Sequence, residues 1–206
     1  MKYIFRKAPE PTRTLAGAIW IWDGIVSNWQ EIVSELDTSV AEYSNTANQP
    51  FMWQPARTAD GRADGLRRNQ IFSLTDAAVK GHEPSRIIHN QIAALMDECV
   101  GKYAAFFETG FGECEDYAVL KYEGSTGDHY DAHYDGGPSN NRWISAIIYL
   151  NDNYEGGELE FVHFGVKIKP KVGSIVIFPS NYAYSHIAHT VKSGTKYALV
   201  TFIAGI

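Results

Sequence analysis

The chain has 206 residues, 45% hydrophobic and 20% charged, which suits one globular domain and excludes a wholly disordered chain. A net charge of -6 argues against a general nucleic-acid binder, since phosphate recognition rests on a surplus of Lys and Arg. The aromatic content (12 Tyr, 10 Phe, 5 Trp) and 18 Gly lean towards β-structure with many turns.

Residues 1–14 read as a basic, Pro-containing arm. Ala18 to Trp22 is a short apolar run and predicts a strand, which Asp23-Gly24 turns. Ser27 is placed to cap a helix from Asn28 to about Leu36, with Trp29, Ile32, Val33 and Leu36 at helical spacing. From Tyr43 to Asn69 periodicity is lost. Pro50, Pro55, Gly61, Gly65 and four arginines mark a long loop, either a lid over a site, with Phe51, Met52 and Trp53 as its apolar tip, or a surface insertion. Glu83-Pro84-Ser85 opens a helix over about 85–106, whose apolar stripe from Ile88 to Tyr103 reads as core packing.

Beyond Glu115 the chain becomes short β-prone runs at 115–122, 128–134, 142–150, 158–163, 166–169, 174–178, 185–191 and 196–203. Such spacing indicates a sandwich or barrel. The expected organisation is one domain over 1–206: an arm at 1–14, helical support with the candidate lid at 15–114, and a β core at 115–206. The N-terminus lacks the apolar stretch of a signal peptide, and no apolar run is long enough to span a bilayer. Cys99 and Cys114 read as two free thiols. The expectation is a cytoplasmic protein with no membrane partner.

Five of the seven histidines lie in the β half: His129, His133, His163, His186 and His189. His133 and Asp135 are two apart, so on a strand their side chains share one face and can converge on one ion. A third ligand from His186 or His189, arriving across the barrel, completes two imidazoles and one carboxylate. That is the facial triad of non-haem Fe(II) oxygenases. His129 and Asp131 form the same pair, and spacing does not choose between them.

The surrounding blocks do. Gly127-Asp128-His129-Tyr130-Asp131-Ala132-His133-Tyr134-Asp135 resembles the G-x-x-Y-x-x-H-x-D signature of the prolyl-4-hydroxylase-like Fe(II)/2-oxoglutarate dioxygenases. Further blocks are similar to that family in order: Glu115 to Tyr122, Arg142 to Asp152, Tyr154 to Phe161, Lys169 to Ser180 and His186 to Tyr197. The resemblance puts His133, Asp135 and His186 on the metal. His186 falls five residues before Val191 and ten before Lys196, which is the family's ligand position; His189 does not.

The resemblance implies a mainly β fold with supporting N-terminal helices, a double-stranded β-helix of the jelly-roll or cupin-like kind. It implies Fe(II), 2-oxoglutarate and O₂ as cofactors, with ascorbate as a reductant. Lys196 stands at the position of the cation for the distal carboxylate of 2-oxoglutarate, with Tyr122, Tyr149 and Ser145 completing the hydrogen bonds. No acid–base residue beyond the iron site is called for. The implied activity is hydroxylation of proline in a peptide or protein with release of succinate and CO₂. The alternative is the same chemistry on another side chain or a free amino acid. Arg142, Trp143, Arg68, Trp53 and His163 are the candidates for substrate contact. A non-catalytic jelly-roll binding module and a zinc hydrolase are the rival classes, and neither has a use for both the triad and Lys196.

Overall fold

A computed structural model of the chain describes residues 9–25, 29–44, 53–57 and 65–206. Residues 1–8 of the basic arm, the Ser27 cap and the Phe51-Met52 tip of the candidate lid lie outside the described residues. In chain order the elements are β1 (Arg13–Leu15), β2 (Ile19–Trp22), α1 (Trp29–Ser44), β3 (Gln54–Pro55), β4 (Arg67–Arg68), β5 (Gln70–Ser73), α2 (Leu74–Val79) and α3 (Glu83–Phe106). Then follow β6 (Phe111–Cys114), β7 (Ala118–Glu123), β8 (His129–His133), β9 (Arg142–Tyr149), β10 (Glu155–Gly156), β11 (Leu159–Phe161) and β12 (Val166–Ile168). The chain ends through β13 (Ile175–Pro179), β14 (His186–Ala188), β15 (Val191–Ser193) and β16 (Thr195–Gly205).

The strands expected from the sequence are present with two adjustments: the run 115–122 becomes strand only from Ala118, as β7, with the unexpected β6 just before it, and 185–191 is divided between β14 and β15. Helix α1 runs past its expected end at Leu36. Trp29, Ile32, Leu36 and Val40 form one buried stripe, and burial of Val40 carries the helix across Thr38 and Ser39, poor helix formers. The short α2 was not expected. Its N-cap is Ser73, whose Oγ accepts from the Asp76 N–H at 3.0 Å.

All pairings are antiparallel. The larger sheet has the order β1-β2-β13-β9-β16-β7-β5-β3, with β6 also on β16; the smaller has the order β12-β11-β14-β8-β4. A two-stranded ribbon, β10-β15, accompanies them. The two sheets form a double-stranded β-helix, and helices α1–α3 cover the outer face of the larger one.

Strand alternation sorts the side chains between two cores. Trp20, Trp22, Ile175, Ile177, Ile144, Ile148 and Leu199 face the helices, packing with Trp29, Ile88, Ile92 and Met96. Their neighbours Ile19, Ile21, Val176, Phe178, Tyr149 and Ala198 face the second sheet and meet Leu159, Phe161 and Ile168. Both faces of the larger sheet are buried, which is why its strands read as continuous apolar runs. The two thiols are free: Cys99 is buried on the inner face of α3, and Cys114 is partly buried.

Phe161 is the keystone between the sheets. It is fully buried, edge-on to Phe178 at 4.8 Å, and 5.9 Å from the ring of His186. Phe161→Ala leaves a cavity the flanking strands cannot close. The expected loss is about 3–5 kcal/mol in a urea unfolding curve with an unchanged m-value.

Candidate active site

The cluster sits between the sheets where β8 and β14 run side by side. His186 opens β14 and lies directly opposite His133, the last residue of β8. The third ligand therefore comes from the adjacent strand and not, as the sequence suggested, from across the barrel. Asp135 follows two residues after His133. Its Oδ1 lies 3.7 Å from His133 Nε2 and its Oδ2 3.7 Å from His186 Nε2. One ligand atom from each residue falls within 4.8 Å of the other two.

Backbone carbonyls set both tautomers. His133 Nδ1 donates to the Asp131 carbonyl at 2.7 Å and His186 Nδ1 to the Tyr184 carbonyl at 3.1 Å. Each Nε2 then carries its lone pair towards Asp135. Burial, reinforced by the nearby His186, lowers the His133 pKa to about 4 against the opposing pull of Asp135, so the imidazole is neutral at pH 7. Two neutral nitrogens and one carboxylate oxygen on one side of a point fit Fe(II).

A bulge in β8 decides which histidine is used. Between the pairs His186–His133 and Ala188–Tyr130 the register shifts, with one more residue on β8 than on β14. Without it, His129 and His133 would share a face. With it, Tyr130 and His133 do: their rings stack at 3.5 Å and 13°. His129 is turned out, with Nδ1 2.9 Å from the Gly127 carbonyl and Nε2 3.1 Å from that of Gly65. His189 is bound to Glu160 Oε2 at 2.7 Å, away from the cluster.

Asp135 is held from behind. Ser145 Oγ donates to its Oδ2 at 2.6 Å and lies 2.8 Å from Ser180 Oγ, with both serines buried. Gly136 makes the turn possible: a Cβ there would meet the Arg142 carbonyl at 2.5 Å and Ser180 Cβ at 3.2 Å.

A cavity of about 590 Å³ extends inward from the triad. Alternation on β16 and β7 points Lys196, Ala198, Val200, Leu120 and Tyr122 into it, while Tyr197 and Val119 face the helices. Lys196 pairs directly with Tyr122 across the β16–β7 ladder. Its Nζ lies 5.2 Å from the ring centres of both Tyr122 and Tyr149 and donates to the Gly157 carbonyl at 2.8 Å. Among the described residues no carboxylate pairs with this buried ammonium. Burial first, then Lys169, pulls its pKa down to about 7, with Glu158 opposing. A buried, unpaired lysine with free donors, flanked by two phenols, fits the distal carboxylate of a dianionic 2-oxo acid.

The remaining candidates separate. Arg142 lines the cavity and forms a two-pronged pair with Glu115, at 2.7 to 3.0 Å. Ser145, expected at the cosubstrate, is bonded to Asp135 and does not line the cavity. Trp143 lies against Gly205 and borders a neighbouring cleft of about 420 Å³. Trp53 packs on Phe72 and Tyr197 beneath the helices, at 5.8 and 6.2 Å. His163 is exposed in the β11–β12 turn. Arg68 points outward, 3.5 Å from Asp128, and it is Arg67 that faces the cavity. Alternation gives opposite sides to adjacent residues, but only the pairing of β4 with β8 says which side is inner. Tyr130 was legible as the Tyr of the G-x-x-Y block but carried no assignment.

These features define a class: a double-stranded β-helix whose open end presents a two-His, one-carboxylate metal site beside a pocket for a 2-oxo acid. Residues 117–204 match the model of the 2OG-Fe(II) oxygenase superfamily. The mimivirus protein "Putative prolyl 4-hydroxylase" (Acanthamoeba polyphaga mimivirus) is 24% identical over 203 residues, 82% of this chain and 80% of that one. "Prolyl 3-hydroxylase 2" of Homo sapiens is 36% identical over 63 residues, 28% of this chain but 9% of the human protein. Among solved structures, a prolyl hydroxylase from Trichoplax adhaerens, in complex with a hypoxia inducible factor peptide fragment, shares the fold with a TM-score of 0.70. It is 18% identical, covering 92% of this chain and 84% of that one. The match over residues 117–204, the prolyl hydroxylase relatives and the two-His, one-carboxylate cluster together support a prolyl-4-hydroxylase-like 2OG-Fe(II) oxygenase, an enzyme class that uses Fe(II), 2-oxoglutarate and O₂.

Proposed function

We propose that the protein hydroxylates prolyl residues of a peptide or protein, consuming 2-oxoglutarate and O₂ and releasing succinate and CO₂. The observation that carries this reading is the His133–Asp135–His186 cluster opening into the cavity that ends at Lys196. The names of the mimivirus and human relatives, and the peptide held by the Trichoplax neighbour, support proline in a peptide as the substrate. Bound Fe(II) supplies the oxidation of an unactivated C–H bond, coupled to decarboxylation of the 2-oxo acid.

The chain's residues arrange that chemistry. His133, Asp135 and His186 would hold the metal, whose chemistry would act on the cosubstrate in the adjoining cavity. Lys196 takes the distal carboxylate, which turns the 2-oxo end towards the triad, and the Tyr122 and Tyr149 hydroxyls donate to the same group. Arg142, kept rigid by Glu115, lies at the mouth, where a substrate carbonyl enters. The apolar walls from Leu120, Leu159 and Val200 exclude water from the oxidised carbon. The decisive assay is succinate release together with a one-oxygen mass gain on a panel of prolyl peptides, free proline and other amino acids. Succinate release with no mass gain on any prolyl peptide overturns proline as the target.

Ser145 is a positioning residue in this scheme. Its hydroxyl fixes the Asp135 oxygen that faces His186. Loss of such an outer partner typically weakens metal binding about 10–100-fold. Ser145→Ala is therefore expected to weaken Mn(II) binding by that factor in a direct titration, and Ser145→Thr to restore it. Equal affinities in all three proteins reduce Ser145 to packing.

A further inference from the structure

We propose that Arg67 receives a carboxylate of the substrate, carried close to the carbon that is hydroxylated. The proposal rests on the hydroxylase reading of this cavity and adds a chemical class to its substrate.

Arg67 faces the cavity, and its guanidinium lies 4.7 Å over the ring of Tyr130. That ring stacks on His133 at 3.5 Å. The cation is thus no further from the metal-binding imidazole than those two spacings together. Its other contacts are neutral: Nε donates to Asn69 Oδ1 at 2.8 Å, and one Nη to the Arg57 carbonyl at 3.3 Å. Its remaining N–H donors have no acceptor among the described residues, and no described carboxylate lies within ion-pair distance. Three of the other cations near the site are set apart from this role. Glu115 neutralises Arg142, Arg68 turns out to Asp128, and Lys196 lies at the cosubstrate end.

Arg67 is therefore held over Tyr130 and by two neutral acceptors, with no carboxylate among the described residues to compensate its charge. A guanidinium placed over an aromatic ring still has N–H donors at its edge, and that edge matches a carboxylate with two parallel hydrogen bonds. Arg57, also on the cavity wall, adds positive potential beside it. At this distance the carboxylate belongs to the reacting residue itself, as in a free or C-terminal amino acid, or to an acidic side chain next to it in a peptide. Both present the same group.

The test uses matched pairs that differ only in that charge: peptides with Asp or Asn beside the proline, and free L-proline against L-prolinamide. The wild-type enzyme is expected to prefer the carboxylate member at least ~10-fold in kcat/KM in one of the two arms, and that arm names the source. Arg67→Gln collapses the ratio towards one; Arg67→Lys keeps part of it. A wild-type ratio near one in both arms, or a ratio preserved in Arg67→Gln, overturns the proposal. Should no proline compound be hydroxylated, the same pairing is applied to other amino acids and their amides, scored by stimulated succinate release. Carboxylate-dependent stimulation lost in Arg67→Gln then sustains the role of Arg67 while the proline reading fails. Stimulation without carboxylate dependence, or none from any pair, overturns Arg67 as well.

Discussion

His186→Ala is expected to abolish both metal binding and 2-oxoglutarate turnover, while His189→Ala leaves both in place. The two residues lie on one short segment, so the contrast tests geometry and not mere proximity. His186 Nε2 points at Asp135 with its tautomer set by the Tyr184 carbonyl, whereas His189 is bound to Glu160. The same contrast holds on β8: His133→Ala removes a ligand, and His129→Ala removes contacts to the Gly127 and Gly65 carbonyls and to the Asp131 carboxylate, none of them to the cluster. Asp135→Ala removes the one negative donor and is expected to act like the ligand histidines. Each ligand loss should exceed the roughly 10–100-fold effect of losing an outer partner. Mn(II) titration monitored by EPR reads binding without turnover, and circular dichroism confirms that each variant is folded. Retained binding in His186→Ala with loss in His189→Ala would reverse the ligand assignment.

Removal of Lys196 is expected to raise the KM for 2-oxoglutarate on the order of tens-fold or more, the weight of a charge-assisted hydrogen bond to a buried group. The pH dependence is a sharper signature. Without cosubstrate the Lys196 ammonium titrates at about 7, because burial disfavours its charged form. Below that pH the lysine is already charged and the distal carboxylate binds without proton exchange. Above it, binding must draw a proton from solvent. The KM should then rise by up to about tenfold per pH unit, and calorimetry in buffers of different ionisation enthalpy should show proton uptake. Lys196→Arg, charged throughout, should lose this dependence.

The same shift acts on folding with a definite sign. The folded pKa lies below that of an unfolded lysine, 10.5. Between about 7 and 10.5 the unfolded chain holds a proton that the folded chain does not, so raising pH through this window favours folding. Below 7 both states are protonated, and the full penalty of burying the charge applies. Bound cosubstrate, by pairing the ammonium, should flatten this slope in thermal melts of the Mn(II)-loaded protein. A KM that is flat from pH 6 to 9, with unchanged affinity in Lys196→Ala, removes the lysine from the cosubstrate site.

The order and approximate extent of the β-strands, the α3 stripe and the grouping of His133, Asp135 and His186 beside the cavity that Lys196 lines were legible in the sequence. Each depends on local periodicity or on an ordered run of blocks. Period-two alternation alone places Lys196, Ala198 and Val200 on one face of β16 and Tyr197 and Leu199 on the other. What alternation does not contain is the register between strands or the place where it breaks. Tertiary structure decided that His186 pairs directly with His133, and that a bulge in β8 turns Tyr130 inward and His129 out. It decided that Arg67 and not Arg68 faces the cavity, and that Ser145 serves Asp135 and not the cosubstrate. Trp53, which the sequence placed at a lid, is drawn under the helices by Phe72 and Tyr197. The physical reason is common to all of these. A strand's own residues specify two faces, but which face is inner follows from hydrogen-bonded pairing with neighbours remote in sequence. A single inserted residue exchanges the faces from that point on.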